Sequence, residues 1–454
     1  MNMNELDKKE FMWGVATSSY QIEGAYDTDG RGPSVWDTFS HKKGNVKNND
    51  NGDTACNHYN FWEEDIELIK KLGVNSYRFS LSWPRIFPKG TEKKVNQKGI
   101  DFYQTLIDTL LSKGIDPVLT LNHWDMPQGL EDIGGWTSRN VTEEFTRYAY
   151  YISKHFGDRV KNWITHNEPW CISHLGYVQG IKPPGLKNAW GKSILVAHNL
   201  LLSHGLAIPE IRNNSKNSKV GITLNLNTAE PASESKYDKE ECNFYDLQFN
   251  KLYLEPLYNK KYPEELFKEL KNRKLINDND LSFINNDDLK IISTSTDFLG
   301  VNYYSRAVIR NNDISENKND EPLIELGDKT DFDWEVYPKG LFNLLLQLKE
   351  NYSVNEIIIT ENGCSYNDSP NENLEIKDQR RIDYHQSHID QMFKAIEQGV
   401  NCTGYFAWSL MDNFEWAQGY SQRFGLIWVD FKTLERIPKN SFYWYQKLIS
   451  SVEN

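Results

Sequence analysis

The 454-residue chain is 39% hydrophobic and 13% aromatic, with 14 Trp, and its 51 Lys/Arg against 64 Asp/Glu leave a net charge of −13. Such a composition buries a large core and excludes a disordered chain. Acidic residues spread along the whole length exclude a broad phosphate-binding face, so neither nucleic acid nor an anionic membrane is an expected partner.

The N-terminal stretch MNMNELDKKEFMWG carries acidic residues and no apolar run of the secretory kind, and no stretch approaches the roughly 18 apolar residues of a membrane span. Eight segments then share one grammar, an apolar or β-branched run followed by polar and aromatic residues and a helical stretch. They are 11–24, 74–83, 116–125, 160–170, 219–227, 296–305, 356–363 and 403–416. Between them the amphipathic stretches 61–73, 100–114 and 145–157 have helical spacing and a closing glycine. Asn- and Asp-rich stretches at 44–53, 271–288 and 311–330 read as long loops around a barrel mouth or as solvent-facing excursions. No linker, heptad array or tandem repeat divides the chain. Residues 1–454 are therefore expected to form a single α/β domain, a (β/α)8 barrel with long βα loops forming the mouth.

Cys56, Cys171, Cys242, Cys364 and Cys402 are odd in number, widely spaced and without a CxxC pair. A reducing cytoplasm is the simpler setting, and zinc is not indicated. The sequons at Asn140 and Asn351 are read as chance matches. His385 and His388 stand at i and i+3 with no third metal ligand nearby, so no metal and no cofactor is expected.

In a barrel the chemistry sits where strands end. The fourth segment ends in THNEP (165–169) and the seventh in IIITENG (357–363), which places Glu168 and Glu361 at one mouth. Paired carboxyls are what glycosidic cleavage needs, because an acetal cannot expel an alkoxide at neutral pH. One carboxylic acid protonates the leaving oxygen while a carboxylate meets the positive charge developing at the sugar carbon. A separation of about 5–5.5 Å retains configuration and one of about 6.5–9.5 Å inverts it.

These two motifs, together with SYQIEG (19–24), RGPSVWDTF (31–39), YRFSLSWPRI (77–86), LNHWDMPQGL (121–130), VNYYS (301–305) and WSLMDNFEWAQGYSQRFGL (408–426), resemble glycoside hydrolase family 1 over about residues 10–449. The resemblance implies a retaining β-glucosidase with Glu168 as acid/base and Glu361 as nucleophile. Arg78, Asn167, Asn302 and Tyr304 would support the pair, with Arg78 and Tyr304 keeping Glu361 ionised. Trp163, Ile164 and Trp170 would form an apolar wall that raises the proton affinity of Glu168. Gln21, His123, Trp124, Asn167, Glu415, Trp416 and Phe424 match positions around the non-reducing sugar, Trp408 the platform beneath it and Trp334 a leaving-group contact.

Glu415 stands where a 6-phosphate would have to sit, which argues against a phosphoglycosidase, and Arg423 is the residue that would argue for one. His166 before NEP and IKPPG at 181–185 depart from the family pattern, and His166 is read as a packed residue rather than a proton shuttle. The expected substrate is a short, unphosphorylated β-glucoside such as cellobiose or an aryl or alkyl glucoside, with side activity on β-galactosides and β-fucosides. Transglycosylation would use the same residues, and a catalytically silent sugar- or partner-binding barrel would be expected to lack one carboxyl. The sequence does not distinguish a monomer from a homo-oligomer.

Overall fold

The computed structural model of the protein describes residues 11–311 and 323–453. The eight strand-like runs are the strands of one closed, all-parallel barrel: β1 (Met12–Ala16), β2 (Ser76–Ser80), β3 (Asp116–Asn122), β4 (Asn162–Asn167), β5 (Lys219–Asn225), β6 (Phe298–Asn302), β7 (Ile357–Asn362) and β8 (Cys402–Trp408). Each strand pairs with its neighbours in sequence, and β8 closes the barrel against β1. Two small strand pairs, Ala229–Pro231 with Ala307–Ile309 and Ile427–Val429 with Arg436–Pro438, lie outside the barrel.

The pleat sorts side chains between two cores. On β7, Ile358 fills the barrel interior while Ile357 and Ile359 join the layer between strands and helices. Phe406 and Trp408 of β8 point inward, and Tyr405 and Ala407 outward. Trp163 faces the helices as well, its Nε1 donating to Ser215 Oγ at 3.2 Å, so it is no part of a wall around Glu168. Period-two alternation from Ile164, which does point inward, places its neighbour on the opposite face.

The three amphipathic stretches are helices His58–Leu72, Gln97–Ser112 and Arg139–Phe156, each starting upstream of the expected position. Their packed turns carry the apolar signal, and their first turns are mainly polar. The stretch 271–288 is not a continuous loop: it holds the end of helix Glu264–Asn272, a short 3-10 turn Asp278–Leu281 and the start of helix Asn286–Ile292. Two of its asparagines, Asn277 and Asn285, serve as N-caps, which is what made it look like a loop. Only a 3-10 turn, Lys47–Asn49, interrupts 44–53, and most of 311–330 lies outside the described residues.

Helix Trp190–Asn214 corrects another expectation, because it is long and apolar enough to cross a membrane, with mean hydropathy 1.3 over its best window. Of that window, 78% is buried inside the protein. It packs against helix Arg139–Phe156 and the outer faces of β4 and β5, and a helix enclosed on all sides is apolar all round.

Gly363 follows Glu361 and Asn362 because a Cβ there would lie 1.8 Å from the carbonyl oxygen of Trp408. Backbone cannot yield as a flexible side chain does. Gly363→Ala is therefore expected to destabilise the fold by about 2 kcal/mol or more, read as a lowered denaturant midpoint, and to cut kcat by moving Glu361.

Candidate active site

The acidic residue at the end of β4 owes its position to a break in the pleat. Thr165 Oγ1 lies 2.7 Å from His204 Nδ1, and His166 Nε2 lies 2.8 Å from Ser203 Oγ, so two successive residues reach the same outer helix. The β4–β5 register slips between Ile164 and Asn167 at this point, and the slip carries Asn167 into the mouth. Glu168 follows in the left-handed region at φ 47°, and Pro169 opens the short helix Pro169–His174, where its missing N–H costs nothing. His166 also stacks on Phe145 at 4.2 Å between ring centres. Burial pushes its imidazole well below its usual value, so it is a packed neutral residue behind the strand.

Across the barrel, Glu361 ends β7 beside Asn302 of β6, where that ladder also slips. Arg78 of β2 connects the two ends: Nη1 donates to Glu361 Oε1 at 2.7 Å and to the carbonyl of Thr360 at 2.9 Å, and Nη2 donates to Asn167 Oδ1 at 2.6 Å. Asn302 Nδ2 donates to Glu168 Oε1 at 2.7 Å and to Asn167 Oδ1 at 3.1 Å, and its own Oδ1 accepts from Thr360 Oγ1 at 2.7 Å. The Tyr304 hydroxyl donates to Glu361 Oε2 at 2.5 Å. Each oxygen of Glu361 therefore has a donor, one of them a cation. Glu168 has the amide of Asn302 and, on Oε2, the thiol of Cys171 at 3.2 Å.

Both glutamates open into a cavity of about 580 Å³ whose walls include His123, Trp124, Trp170, Asn302, Tyr304, Trp334, Trp408, Glu415, Trp416 and Phe424. These twelve residues were all singled out in the sequence. Gln21, Asn167 and Arg78 are hydrogen-bonded to residues that line the cavity, Glu415, Asn302 and Glu361 respectively. Gln21 Nε2 donates to Asn413 Oδ1, the carbonyl of Phe414 and Glu415 Oε2, and Trp124 Nε1 donates to the carbonyl of Asn167 at 2.8 Å. His123 Nε2 faces Asn167 Nδ2 at 3.1 Å, so that nitrogen accepts and the ring proton belongs on Nδ1. Burial, with Arg78 and Lys182 nearby, holds His123 well below its usual value and neutral. Trp334 packs on Phe332 and Tyr304 at the outer rim.

The cavity gathers negative charge. Burial pushes Glu361 up to about 7, against the pull of Arg78, with Glu168 adding to the rise. Arg78 and the Tyr304 hydroxyl both act to lower it, and burial opposes them. Glu415 goes up to about 8, again by burial first, opposed by Lys182 and by the Gln21 hydrogen bond. Arg423 is occupied elsewhere, with Nη1 2.7 Å from Asp412 Oδ2 and its guanidinium 5.0 Å from the Trp428 ring.

Sequence reasoning passed over Cys171, counted only among the thiols, and Lys182, noted only within IKPPG. The spacing of Cys171 three residues after Glu168, across the start of a helix, was the available signal. His385 and His388 are buried away from the cavity, partnered by Tyr405 and by the carbonyl of Tyr384. Among the described residues no group of three or more His, Cys, Asp or Glu is placed to hold a metal.

The family model described as Glycosyl hydrolase family 1 matches residues 3–454. Beta-glucosidase A of Thermotoga maritima is 46% identical over 448 residues, covering 97% of each chain. The bifunctional beta-D-glucosidase/beta-D-fucosidase of Bifidobacterium breve is 39% identical over 468 residues, covering 99% of each. The structure of the Thermotoga maritima beta-glucosidase in complex with deoxynojirimycin superposes with a TM-score of 0.89 at 46% identity, over 98% of both chains. A barrel that sets two glutamates in one cavity and matches these enzymes over nearly its whole length belongs to glycosyl hydrolase family 1.

Proposed function

We propose that the protein is a retaining β-glucosidase. It removes the terminal non-reducing β-D-glucosyl residue from short, unphosphorylated β-glucosides such as cellobiose and aryl or alkyl glucosides. The observation that carries this reading is the asymmetry of the two glutamates, since Glu361 is bonded to a guanidinium and Glu168 only to neutral donors. The guanidinium suits Glu361 to the part of the attacking carboxylate, and the neutral donors leave the part of the acid to Glu168.

In the first step Glu361 attacks the anomeric carbon as Glu168 gives its proton to the leaving oxygen, so the C–O bond breaks and a glycosyl ester forms. The ester removes the charge of Glu361. Glu168, now a carboxylate, takes a proton from water, whose oxygen attacks the same carbon and releases glucose with its configuration retained. Asn167 Oδ1 is engaged by Arg78 and Asn302, which leaves its Nδ2 as a fixed donor for the 2-hydroxyl. Glu415 and Gln21 would take adjacent hydroxyls at the far end of the ring, and Trp408 its C–H face.

A pocket lined by five carboxyls, with Arg423 tied to Asp412, favours a neutral sugar over a 6-phosphate. Side activity on β-fucosides and β-galactosides is part of the proposal, and the name of the Bifidobacterium breve relative supports the first. We also place the protein in the cytoplasm, supported by five buried cysteines that are all free thiols.

Glu361→Gly is expected to lower hydrolysis of p-nitrophenyl β-D-glucoside by about 10⁴-fold or more, with added azide restoring turnover to the α-glucosyl azide. Undiminished activity would sink the mechanism, and wild-type turnover of the 6-phosphoglucoside alone would sink the substrate class.

For Glu168→Gln the expected loss is about 10² to 10⁴-fold on the same substrate, and much less on the 2,4-dinitrophenyl glucoside, whose leaving group needs no proton.

Glu361 at about 7, Glu415 at about 8 and buried Asp125 at about 7 all keep protons that the unfolded chain releases near 4.5 or below. The folded state then binds more protons than the unfolded state across that window, so these groups make stability fall as pH rises from about 4.5 to 8. Glu415→Gln should flatten that fall in a series of melting temperatures between pH 5 and 9.

A further inference from the structure

Lys182 is 8% exposed, yet its ammonium has no ion pair among the described residues. Nζ stands 3.2 Å above the centre of the Trp124 ring and 5.7 Å from that of Trp416. Of the cations lining the cavity, Arg306 is tied to Glu230 and Glu335, and Lys329 to Asp333. Lys182 alone among these three has no ion pair, its side-chain hydrogen-bond partner being the thiol of Cys171.

We propose that Lys182 is a positioning residue of the carboxyl pocket: its ammonium, anchored on Trp124, balances Glu168 and Glu415 and so sets the pH range over which the Glu168–Glu361 pair works. The inference rests on the roles assigned above to that pair.

Of the five carboxyls that line the cavity, Asp333 pairs with Lys329 and Glu335 with Arg306, and of the other three, Glu168, Glu361 and Glu415, Arg78 bonds only Glu361. The groups acting on Lys182 come from three parts of the chain: Glu168 at the end of β4, Cys171 on the helix that follows, and Glu415 after β8. Glu131 shares a second, water-sized cavity of about 20 Å³ with it. On the opposite side, Glu168 meets Glu361 and Tyr304, and through Asn167 also Arg78 and neutral His123. Burial lowers the proton affinity of Lys182, and the carboxyls of Glu168 and Glu415 oppose that. The cation–π contact supplies the remaining hold on a charge that makes no hydrogen-bonded ion pair. Its buried methylene stem is what a methionine would reproduce.

The experiment compares kcat/KM for p-nitrophenyl β-D-glucoside from pH 4.5 to 9.5 in the wild type, Lys182→Met, Lys182→Gln and Lys182→Arg. Removing a cation beside acids raises their proton affinity, so both limbs should move to higher pH by about one unit in the Met and Gln variants. The Arg variant should keep the wild-type limbs. Limbs that coincide in all four proteins, or an Arg variant displaced as far as Met, would overturn the proposal, as would lost activity with an unmoved profile. Calorimetric binding of deoxynojirimycin over the same pH range reads the same charge without turnover. An onset of binding unchanged in Lys182→Met overturns the inference even if the wild type hydrolyses no glucoside, whereas such inactivity alone overturns only the function assigned above.

Discussion

The Arg78 guanidinium, 1% exposed in the middle of the barrel, joins the ends of four strands. It projects from β2, its Nε donates to Thr120 of β3, its Nη2 to Asn167 of β4, and its Nη1 to Glu361 and the carbonyl of Thr360 on β7. A charge taken out of water is costly unless its hydrogen bonds are made and an opposite charge is near, and here both conditions hold. Removing it would leave Glu361 buried without a cation. The same contacts fix Asn167, whose Oδ1 also meets Asn302, and Asn302 in turn holds Glu168. The two glutamates are thus parts of one hydrogen-bonded unit.

A regular pleat would not deliver that unit. Strict alternation sends every second residue outward, yet Asn167 and Glu168 are adjacent and both serve the mouth. The slip in β4, taken up by Thr165 and His166 against helix Trp190–Asn214, is the local irregularity that makes room for them. On β7 the outward residue is instead put to use: Asn362 Nδ2 donates to the carbonyl of Tyr303, and its Oδ1 accepts from Tyr405, which clamps the strand end behind Glu361.

All eight barrel strands were legible in the sequence, because runs such as IIIT and VLTL end in polar residues in a way that buried parallel strands show plainly. Glu168, Glu361 and the aromatic residues Trp124, Trp334, Trp408 and Trp416 of the cavity wall were legible through their motifs. What periodicity did not show was direction. Trp163 was placed beside Glu168 because it is near in sequence, although one residue along a strand is the other face of the sheet. Lys182 escaped notice because its partners, Trp124, Cys171 and Glu415, come together only when three loops meet. The stretch 271–288 misled for a related reason, since asparagines that cap helices and asparagines in loops look alike in a composition.

The charge balance of the cavity bears on both substrate and transition state. A phosphate would need an uncommitted cation, and the cation that is free of ion pairs, Lys182, already lies among Glu168, Cys171 and Glu415. A neutral pyranoside brings no charge of its own and so leaves that balance intact. Positive charge arises only as the leaving bond stretches, and a site weighted toward carboxyls stabilises that developing charge more than it does the ground state. On the proposed mechanism, the desolvation that pushes Glu361 and Glu415 upward is therefore relieved at the moment of reaction, which is where stabilisation accelerates turnover.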